Sequence, residues 1–144
     1  MQAFLHLLPY IPPTDVALFC GILGLFLGSF YNVCSDRYLS GESILWPPSH
    51  CTACNAKLSP LELIPLVSWL VLRGRCRHCG AVIGWRYPLM ELASGFFAAL
   101  VGYRFGASAA CLVGLVFTGL FLVLSAIDFQ AFLLPDKMTF PGAI

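Results

Sequence analysis

Charged side chains are scarce in this sequence of 144 residues: only 10% are Asp, Glu, Lys or Arg, whereas 59% are hydrophobic. An ordinary soluble domain carries about a quarter charged residues, so this chain has too few to cover a water-soluble globule of its size. Its mean hydropathy of +0.85 is strongly positive. The composition excludes an ordinary soluble domain and predicts a protein that spans a lipid bilayer.

The N-terminus lacks the features of a cleavable signal peptide. Residues 1–13 contain no Lys or Arg, and no small-residue cleavage site follows the first apolar run. Internal repeats and low-complexity tracts are not evident either. We therefore expect the first apolar run to remain in the protein as a membrane helix.

Long apolar runs are present and define the membrane-spanning part. Residues 16–35 form an uncharged run of 20 residues, which as a helix at ~1.5 Å per residue crosses roughly 30 Å of hydrocarbon. Residues 92–127 are interrupted only by Arg104, and they are long enough for two spans joined by a tight turn. The predicted fold is an all-α polytopic membrane protein with transmembrane helices at 16–35, 87–103 and 107–127.

Three glycines of the first run are spaced for close packing. Gly21, Gly24 and Gly28 are three and four residues apart, so they share one face of a helix. Small residues at this spacing let transmembrane helices approach each other closely. We expect this face to make a close contact with another helix.

Basic residues are concentrated in one loop and indicate the orientation. Six of the eight Lys and Arg residues lie between the first and second predicted spans, and loops rich in these residues stay in the cytoplasm. Residues 1–15 are therefore predicted to be periplasmic and 36–86 to form a cytoplasmic loop. The chain returns to the cytoplasm after the third span, so residues 128–144 are predicted to begin on the same side as the loop.

Four cysteines of the loop form two C-x2-C pairs, Cys51/Cys54 and Cys76/Cys79, separated by 21 residues. Two such knuckles complete a tetrahedral thiolate site that leaves no position for water. Because the cytoplasm keeps thiols reduced, we predict a structural zinc ion, with redox or disulfide pairing of the same thiols as the alternative. The remaining cysteines are expected to act as small hydrophobic residues: Cys20, Cys34 and Cys111.

Arg73, Arg75 and Arg77 crowd the entry to the second knuckle. Attraction to anionic headgroups, at about 1 kcal/mol per charge, explains them. Contact with an anionic cosubstrate or with a protein substrate is the alternative. Just before them, the apolar stretch 61–72 is too short to span a bilayer, so we predict a segment that lies at the interface or packs against the metal module.

Asp128 follows an uncharged run of 23 residues, 105–127. An ionisable group beside hydrocarbon is a functional candidate, because placing it there costs a few kcal/mol. Pro135 is expected to break a continuing helix, and Asp136 is interpreted as the cap of a new helix or as a supporting carboxylate. An aspartic protease needs two carboxylates sharing a proton, but eight residues of straight helix would separate these two by ~12 Å.

Several stretches occur in an order and spacing that is specific as a set: Gly28–Val33 with Arg37, the two cysteine pairs, Ile64–Leu70, Arg73–Cys76, Arg86–Glu91, Ile127–Asp128 and Leu134–Thr139. Together they resemble the bacterial type IV prepilin peptidases, the leader peptidase/N-methyltransferases of pilus and type II secretion systems. The resemblance runs from about Gly21 to the end of the sequence.

This resemblance implies an aspartic endopeptidase of the bacterial inner membrane. Such enzymes cut the leader from prepilins or pseudopilins at the cytoplasmic face and then methylate the new N-terminus with S-adenosylmethionine. The resemblance implies that Asp128 is the first catalytic aspartate, that the four cysteines bind zinc, and that Gly74 lies in the turn linked to methyl transfer. The lipid bilayer and a prepilin are the expected partners, and no nucleic acid is expected.

The sequence departs from the family in one respect. The family's second catalytic aspartate lies in a G-x-G-D motif, which this sequence does not contain. We therefore interpret residues 128–144 as the start of a truncated peptidase domain and the chain as an incomplete form of the enzyme. Three alternatives stay open: a non-catalytic membrane adaptor whose zinc loop docks a partner, an inactive truncated product, and methyl transfer without leader removal.

Overall fold

The computed structural model describes the backbone of residues 11–139 and the side chains of residues 11–131. Four α-helices follow one another: α1 (Pro13–Ser40), α2 (Val67–Val71), α3 (Arg86–Phe105) and α4 (Ala109–Thr139), with a 3-10 turn at Pro60–Leu63. Between residues 11 and 139 there is no β-strand, only two isolated bridges within the loop. The predicted all-α class is confirmed.

Helix α1 is longer at both ends than the predicted span 16–35. Pro13 opens it, where a missing N–H costs nothing, and Asp15 lies in the first turn near the positive end of the helix dipole. At the other end Gly41 takes a left-handed conformation (φ 71°), and its N–H donates to the Arg37 carbonyl. The polar turn after Ser35 therefore stays helical because it is capped.

Helices α1 and α3 pack closely through small residues. A Cβ added at Gly24 would lie 2.6 Å from the Ala98 Cβ, and one added at Gly28 would lie 2.7 Å from the Glu91 Cα. On the α3 side, a Cβ at Gly95 would meet the Leu25 side chain at 2.7 Å. The prediction that the glycine face packs closely against another helix is confirmed, and the packing is of the kind seen between membrane helices.

Large apolar side chains point away from these contacts. The buried positions of α1 are mostly small or polar, whereas many Leu and Phe side chains of α1, α3 and α4 are exposed. Two helices, Pro13–Ser40 and Ala109–Ala131, are long and apolar enough to cross a membrane, and only 28% and 11% of their most apolar stretches are buried. A core helix of a soluble protein would be mostly buried, so this pattern favours contact with lipid.

Helix α3, which contains the predicted span 87–103, is less hydrophobic than the other two. It includes Arg86, Glu91 and Arg104, and it is not among the two helices that meet the length and hydropathy criterion. Its buried face nevertheless consists mostly of small residues, and the Glu91 side chain is also buried. That α3 crosses the membrane stays a prediction.

Helix α4 does not end at Ile127, where the predicted third span ends. Its first turn is capped by Ser108, whose Oγ accepts a hydrogen bond from the Cys111 N–H (3.3 Å). The helix then continues past Asp128 to Thr139. The prediction that the helix breaks at Pro135 and that Asp136 caps a new helix is therefore wrong, because one continuous helix includes both residues. The residues between Asp128 and Pro135 are mostly good helix formers, and a proline inside a helix can kink it without ending it.

Polar contacts fasten α1 to the start of α3. The Arg86 guanidinium pairs with the Asp36 carboxylate at 2.7 Å, and the Tyr87 hydroxyl donates to the other carboxylate oxygen at 2.8 Å. The Asn32 side chain donates to the Tyr87 carbonyl at 3.1 Å. These contacts bring the two ends of the loop together, so residues 41–85 emerge as one module at one end of the helices.

Candidate metal centre and membrane-edge carboxylate

The two cysteine knuckles share one backbone design. In each, the N–H of the first cysteine donates to the carbonyl five residues later, at 2.9 Å from Cys51 and 2.8 Å from Cys76. Its carbonyl accepts from the N–H four residues later, at 2.8 and 2.9 Å respectively. That fourth residue is Asn55 or Gly80, with φ of 57° and 72°, so the chain reverses through a left-handed residue. An isolated β-bridge closes each knuckle.

This correspondence is visible in the sequence as a six-residue similarity, too short to count as the internal repeat of a fold. Both knuckles read C-x-x-C, then Asn or Gly, then Ala, beginning at Cys51 and Cys76. Asn and Gly are the residues that most readily take a left-handed backbone. The residue after each second cysteine therefore predicts the left-handed turn of the knuckle, which the C-x2-C spacing alone does not.

The four thiols converge as predicted. The Sγ atoms of Cys51, Cys54, Cys76 and Cys79 all lie within 4.8 Å of one another, and those of Cys51 and Cys79 are 3.9 Å apart. A tetrahedron with Zn–S bonds of ~2.3 Å has sulfur–sulfur edges of ~3.8 Å. The cluster is therefore the right size and donor type for a tetrahedral zinc ion, which these four residues would hold as a structural cross-link.

Backbone amides prepare the first sulfur of each knuckle to carry negative charge. The N–H groups of Ala53 and Cys54 lower the pKa of the Cys51 thiol to about 7. The N–H groups of Cys79 and His78 lower the pKa of the Cys76 thiol in the same way. Hydrogen bonds that favour the thiolate favour a metal ligand, because the thiolate is the binding form.

The Cys79 sulfur resists ionisation in the absence of a cation, because its pKa is raised. For Cys79, the Ala81 N–H lowers the pKa, but the neighbouring thiols, Cys54 first, outweigh it and raise the pKa to about 11. Four sulfurs this close cannot all be thiolates without a cation between them. The electrostatics thus fit a site completed by a divalent metal ion.

Gly74 supports the second knuckle through Trp69. Its φ is +65°, and an added Cβ would lie 3.0 Å from the Trp69 ring. The Gly74 N–H donates to the Trp69 carbonyl (2.8 Å), and its carbonyl accepts from the Ile83 N–H (2.7 Å). The indole Nε1 in turn donates to the Ile83 carbonyl at 3.2 Å. A side chain at this position would be strained by the backbone conformation and would press on the indole, so the turn favours glycine. The methyl-transfer role of this turn stays a prediction.

Two buried charged side chains organise the loop, and sequence reasoning gave neither of them this role. The Arg37 guanidinium donates to the carbonyls of Ser43 (2.7 Å) and Ile44 (2.9 Å) and also to that of Pro47. The Glu91 carboxylate accepts the Leu66 N–H at 2.7 Å. The Arg37 contacts fold the start of the loop back onto the end of α1, whereas the Glu91 contact joins positions 25 residues apart, which no local pattern predicts.

Asp128 is exposed on α4 at the same end of the helices as the metal module. The Cys20 and Cys111 sulfurs are 4.0 Å apart, and a Cβ at Gly119 would collide with the Tyr31 hydroxyl, so α1 and α4 run in the same direction. Nine residues beyond Gly119 is Asp128, and nine residues beyond Tyr31 is the last residue of α1. At equal rise per residue the carboxylate lies roughly level with that end.

The predicted site residues therefore fall into three groups. The four cysteines form one cluster, and Gly74 lies in the turn that precedes it. Asp128 shares their end of the molecule, on a different helix. Asp136 lies within α4, and its side chain is outside the described residues.

Comparison with known proteins gives a consistent result. The family model described as the bacterial peptidase A24 N-terminal domain matches residues 22–105. Three relatives carry the name prepilin leader peptidase/N-methyltransferase. They are 38% identical over 143 residues (83% of this chain, Dickeya chrysanthemi), 45% over 130 (89%, Myxococcus xanthus) and 38% over 117 (81%, Bacillus subtilis).

The chain spans half or less of the length of these three relatives, at 50%, 38% and 47% respectively. The family match covers α1 from Ile22, the whole metal module and α3. Asp128 and the rest of α4 lie beyond the family match. No solved structure matches the chain.

Proposed function

Because the chain belongs to the family of the bacterial peptidase A24 N-terminal domain, we propose that it is the N-terminal part of a prepilin leader peptidase/N-methyltransferase of the bacterial inner membrane. The observation that carries this proposal is the pairing of a four-thiol module with a carboxylate at one end of apolar helices. An adaptor needs the module but has no use for an acidic group beside lipid.

The metal in the proposal is zinc, and its role is structural. Four cysteine ligands close the coordination sphere, so the ion holds the two knuckles together and offers no site for water or substrate. The ion would fix residues 41–85 as a rigid platform beside the helix ends.

The proposed orientation places that platform in the cytoplasm. Six of the eight Lys and Arg residues lie in the loop, which is the pattern of a segment retained on the cytoplasmic side. Reduced thiols, which zinc requires, are also typical of the cytoplasm. A prepilin whose leader stays in the cytoplasm would then meet the platform and Asp128 on one side of the membrane.

Asp128 is proposed as one of the two aspartates of the peptidase. In such a pair one carboxylate activates water while the protonated one polarises the scissile carbonyl. We expect the partner carboxylate from the region of the relatives that lies outside the match. S-adenosylmethionine is the proposed donor for methylation of the new N-terminus.

A chimera tests the role of Asp128. The chain replaces the matched segment of the Dickeya chrysanthemi relative, and the chimera is co-expressed with a prepilin. We expect leader removal by the chimera, and a loss of at least about 100-fold in Asp128→Asn, which keeps the shape and removes the ionisable group. The matched control is Asp15→Asn at the other end of α1, which should cleave normally.

The alternatives predict different results. Cleavage that survives Asp128→Asn would overturn the proposed catalytic role. An adaptor predicts that this substitution is silent while Cys76→Ser abolishes recovery of a partner. If the protein only transfers methyl groups, no form of the chimera removes the leader. The chimera then still methylates the N-terminus of a pilin that is supplied already cleaved.

A further inference from the structure

A short apolar segment of the loop exposes its hydrophobic side chains. The segment comprises residues 60–72, which form the 3-10 turn and α2. Leu61, Val67, Leu70 and Val71 are 72%, 53%, 66% and 73% exposed. Adjacent exposed apolar residues on this scale mark an interaction surface rather than ordinary surface scatter.

The contacts of this segment fix its depth relative to the helices. The Asp36–Arg86 ion pair marks the polar end of α1 and α3. Glu91 is five residues further along α3, about 8 Å deeper at the rise of an α-helix. Because the Glu91 carboxylate accepts the Leu66 N–H at 2.7 Å, and side chains of a helix lean toward its N-terminus, Leu66 lies alongside the first turns of α3 rather than beyond its polar end.

The backbone of the segment is satisfied in a way that suits this depth. Leu66 has φ 60° and ψ −47°, and the N–H of Val67 folds back to the Pro65 carbonyl at 2.6 Å, which makes a tight turn. This turn leaves the Leu66 N–H outside any helix, and Glu91 supplies its acceptor. A backbone N–H within the bilayer must donate its hydrogen bond to a protein group, because lipid chains offer no acceptor.

Basic residues follow the segment directly. Arg73, Arg75 and Arg77 are all exposed, and they come within six residues of the exposed Val71. An apolar face followed by arginines is the arrangement of an interfacial element, whose side chains enter the acyl boundary while cations stay among anionic headgroups. A cytosolic protein partner could bind a segment that lies beyond the polar end of the helices, so it does not explain why Glu91 holds this segment alongside α3.

We propose that residues 60–72 are embedded in the cytoplasmic leaflet of an anionic bilayer, with Leu61, Leu70 and Val71 against acyl chains and the three arginines at the headgroups. The occupant of the exposed apolar face is therefore lipid. Glu91 is the positioning residue that holds the segment at this depth. The metal module would then be fixed to the membrane surface at a third place besides α1 and α3. The proposal rests on the membrane placement given above.

A photo-crosslinking amino acid reports the environment of the segment. A diazirine-bearing residue is placed at Leu70, at Leu120 on the exposed face of α4, or at Val82 in the second knuckle, which is 79% exposed. Each protein is reconstituted in vesicles of phosphatidylethanolamine and phosphatidylglycerol, irradiated and analysed by mass spectrometry. We expect a lipid adduct at Leu70 within a few-fold of Leu120 and more than about tenfold above Val82.

The other outcomes are distinguishable. Lipid adducts at Leu120 but not at Leu70 would overturn the embedding of the segment and leave the proposed function standing. Adducts at Leu70 with a co-reconstituted prepilin instead of lipid would assign the face to a protein. Absence of lipid adducts at both positions would overturn the membrane placement itself, and with it the proposed function.

Discussion

The residue that follows each second cysteine decides whether its knuckle can close. Asn55 and Gly80 both take positive φ values, and each returns an N–H to the carbonyl of the leading cysteine. The backbone amides inside each turn then point at a sulfur and lower the pKa of Cys51 to about 7 and that of Cys76 in the same direction. Metal affinity is thus prepared by backbone geometry as well as by the thiols themselves.

Removing one thiol should remove the metal. Cys76→Ser leaves three sulfur ligands, and we expect zinc to fall from one ion per chain to a small fraction after purification in the presence of a mild chelator. Cys34→Ser, which alters a cysteine of α1 outside the cluster, should retain one ion. Elemental analysis of the purified proteins is the measurement, and equal zinc in both variants would contradict the assignment of the four ligands.

A methyl group at Gly74 should loosen the second knuckle. The added Cβ would meet the Trp69 ring at 3.0 Å while the backbone stays at φ +65°, so we expect Gly74→Ala to destabilise the module by about 1–3 kcal/mol. The temperature at which zinc is released to a chromophoric chelator should fall. Gly84→Ala is the control, because nothing lies within 4 Å of its added Cβ. Equal release temperatures would show that the Trp69–Gly74 contact is not needed.

At the scale of residues, the sequence was informative where the chemistry is local. The C-x2-C spacing predicted the cluster of Cys51, Cys54, Cys76 and Cys79, because each turn depends only on its own few residues. The contact between Glu91 and the Leu66 N–H joins positions 25 residues apart. It depends on how α2 and α3 meet, so no local pattern could have predicted it.

Among the elements, the contact between α1 and α3 depends on the absence of side chains. Gly24 and Gly28 face Ala98, Ser94 and the Glu91 backbone, and the neighbouring large residues turn outward. Small-residue contacts of this kind hold membrane helices together, because lipid provides no hydrophobic force between helices. The spacing of the glycines predicted this face, and their partners were found only in the structure.

Filling the glycine face should separate these two helices. A Cβ at Gly24 would already lie 2.6 Å from the Ala98 Cβ and 2.7 Å from the Ser94 carbonyl oxygen. We expect Gly24→Leu to lower stability by about 1–3 kcal/mol or more, seen as a lower unfolding temperature in detergent. Leu18→Phe, on the exposed face of the same helix, should be close to neutral. A stable Gly24→Leu protein would contradict the packing.

Helix ends were the least predictable feature at this scale. The predicted third span ended at Ile127, but α4 continues to Thr139, because a single charged residue and a later proline do not by themselves stop a helix. The polar end of α1 also remains helical to Ser40. Hydropathy marks where a chain meets lipid, and helices continue beyond that limit wherever a cap or a neighbour allows.

For the whole molecule, several independent contacts place the polar groups at one end. The Asp36–Arg86 pair joins the ends of the loop, the cysteine cluster lies within that loop, and Asp128 on α4 is roughly level with the end of α1. The distribution of Lys and Arg predicts that this end faces the cytoplasm. The chain's proposed part in prepilin processing depends on that orientation.

The orientation is tested most directly by reporter fusions, in which a green fluorescent protein or alkaline phosphatase is joined after Ser49 or after Ser108. The first site precedes the cysteine cluster, and the second lies in the turn between α3 and α4. We expect fluorescence without phosphatase activity at Ser49 and the reverse at Ser108. Phosphatase activity at Ser49 would place the thiols in an oxidising compartment and contradict both the zinc site and the peptidase assignment.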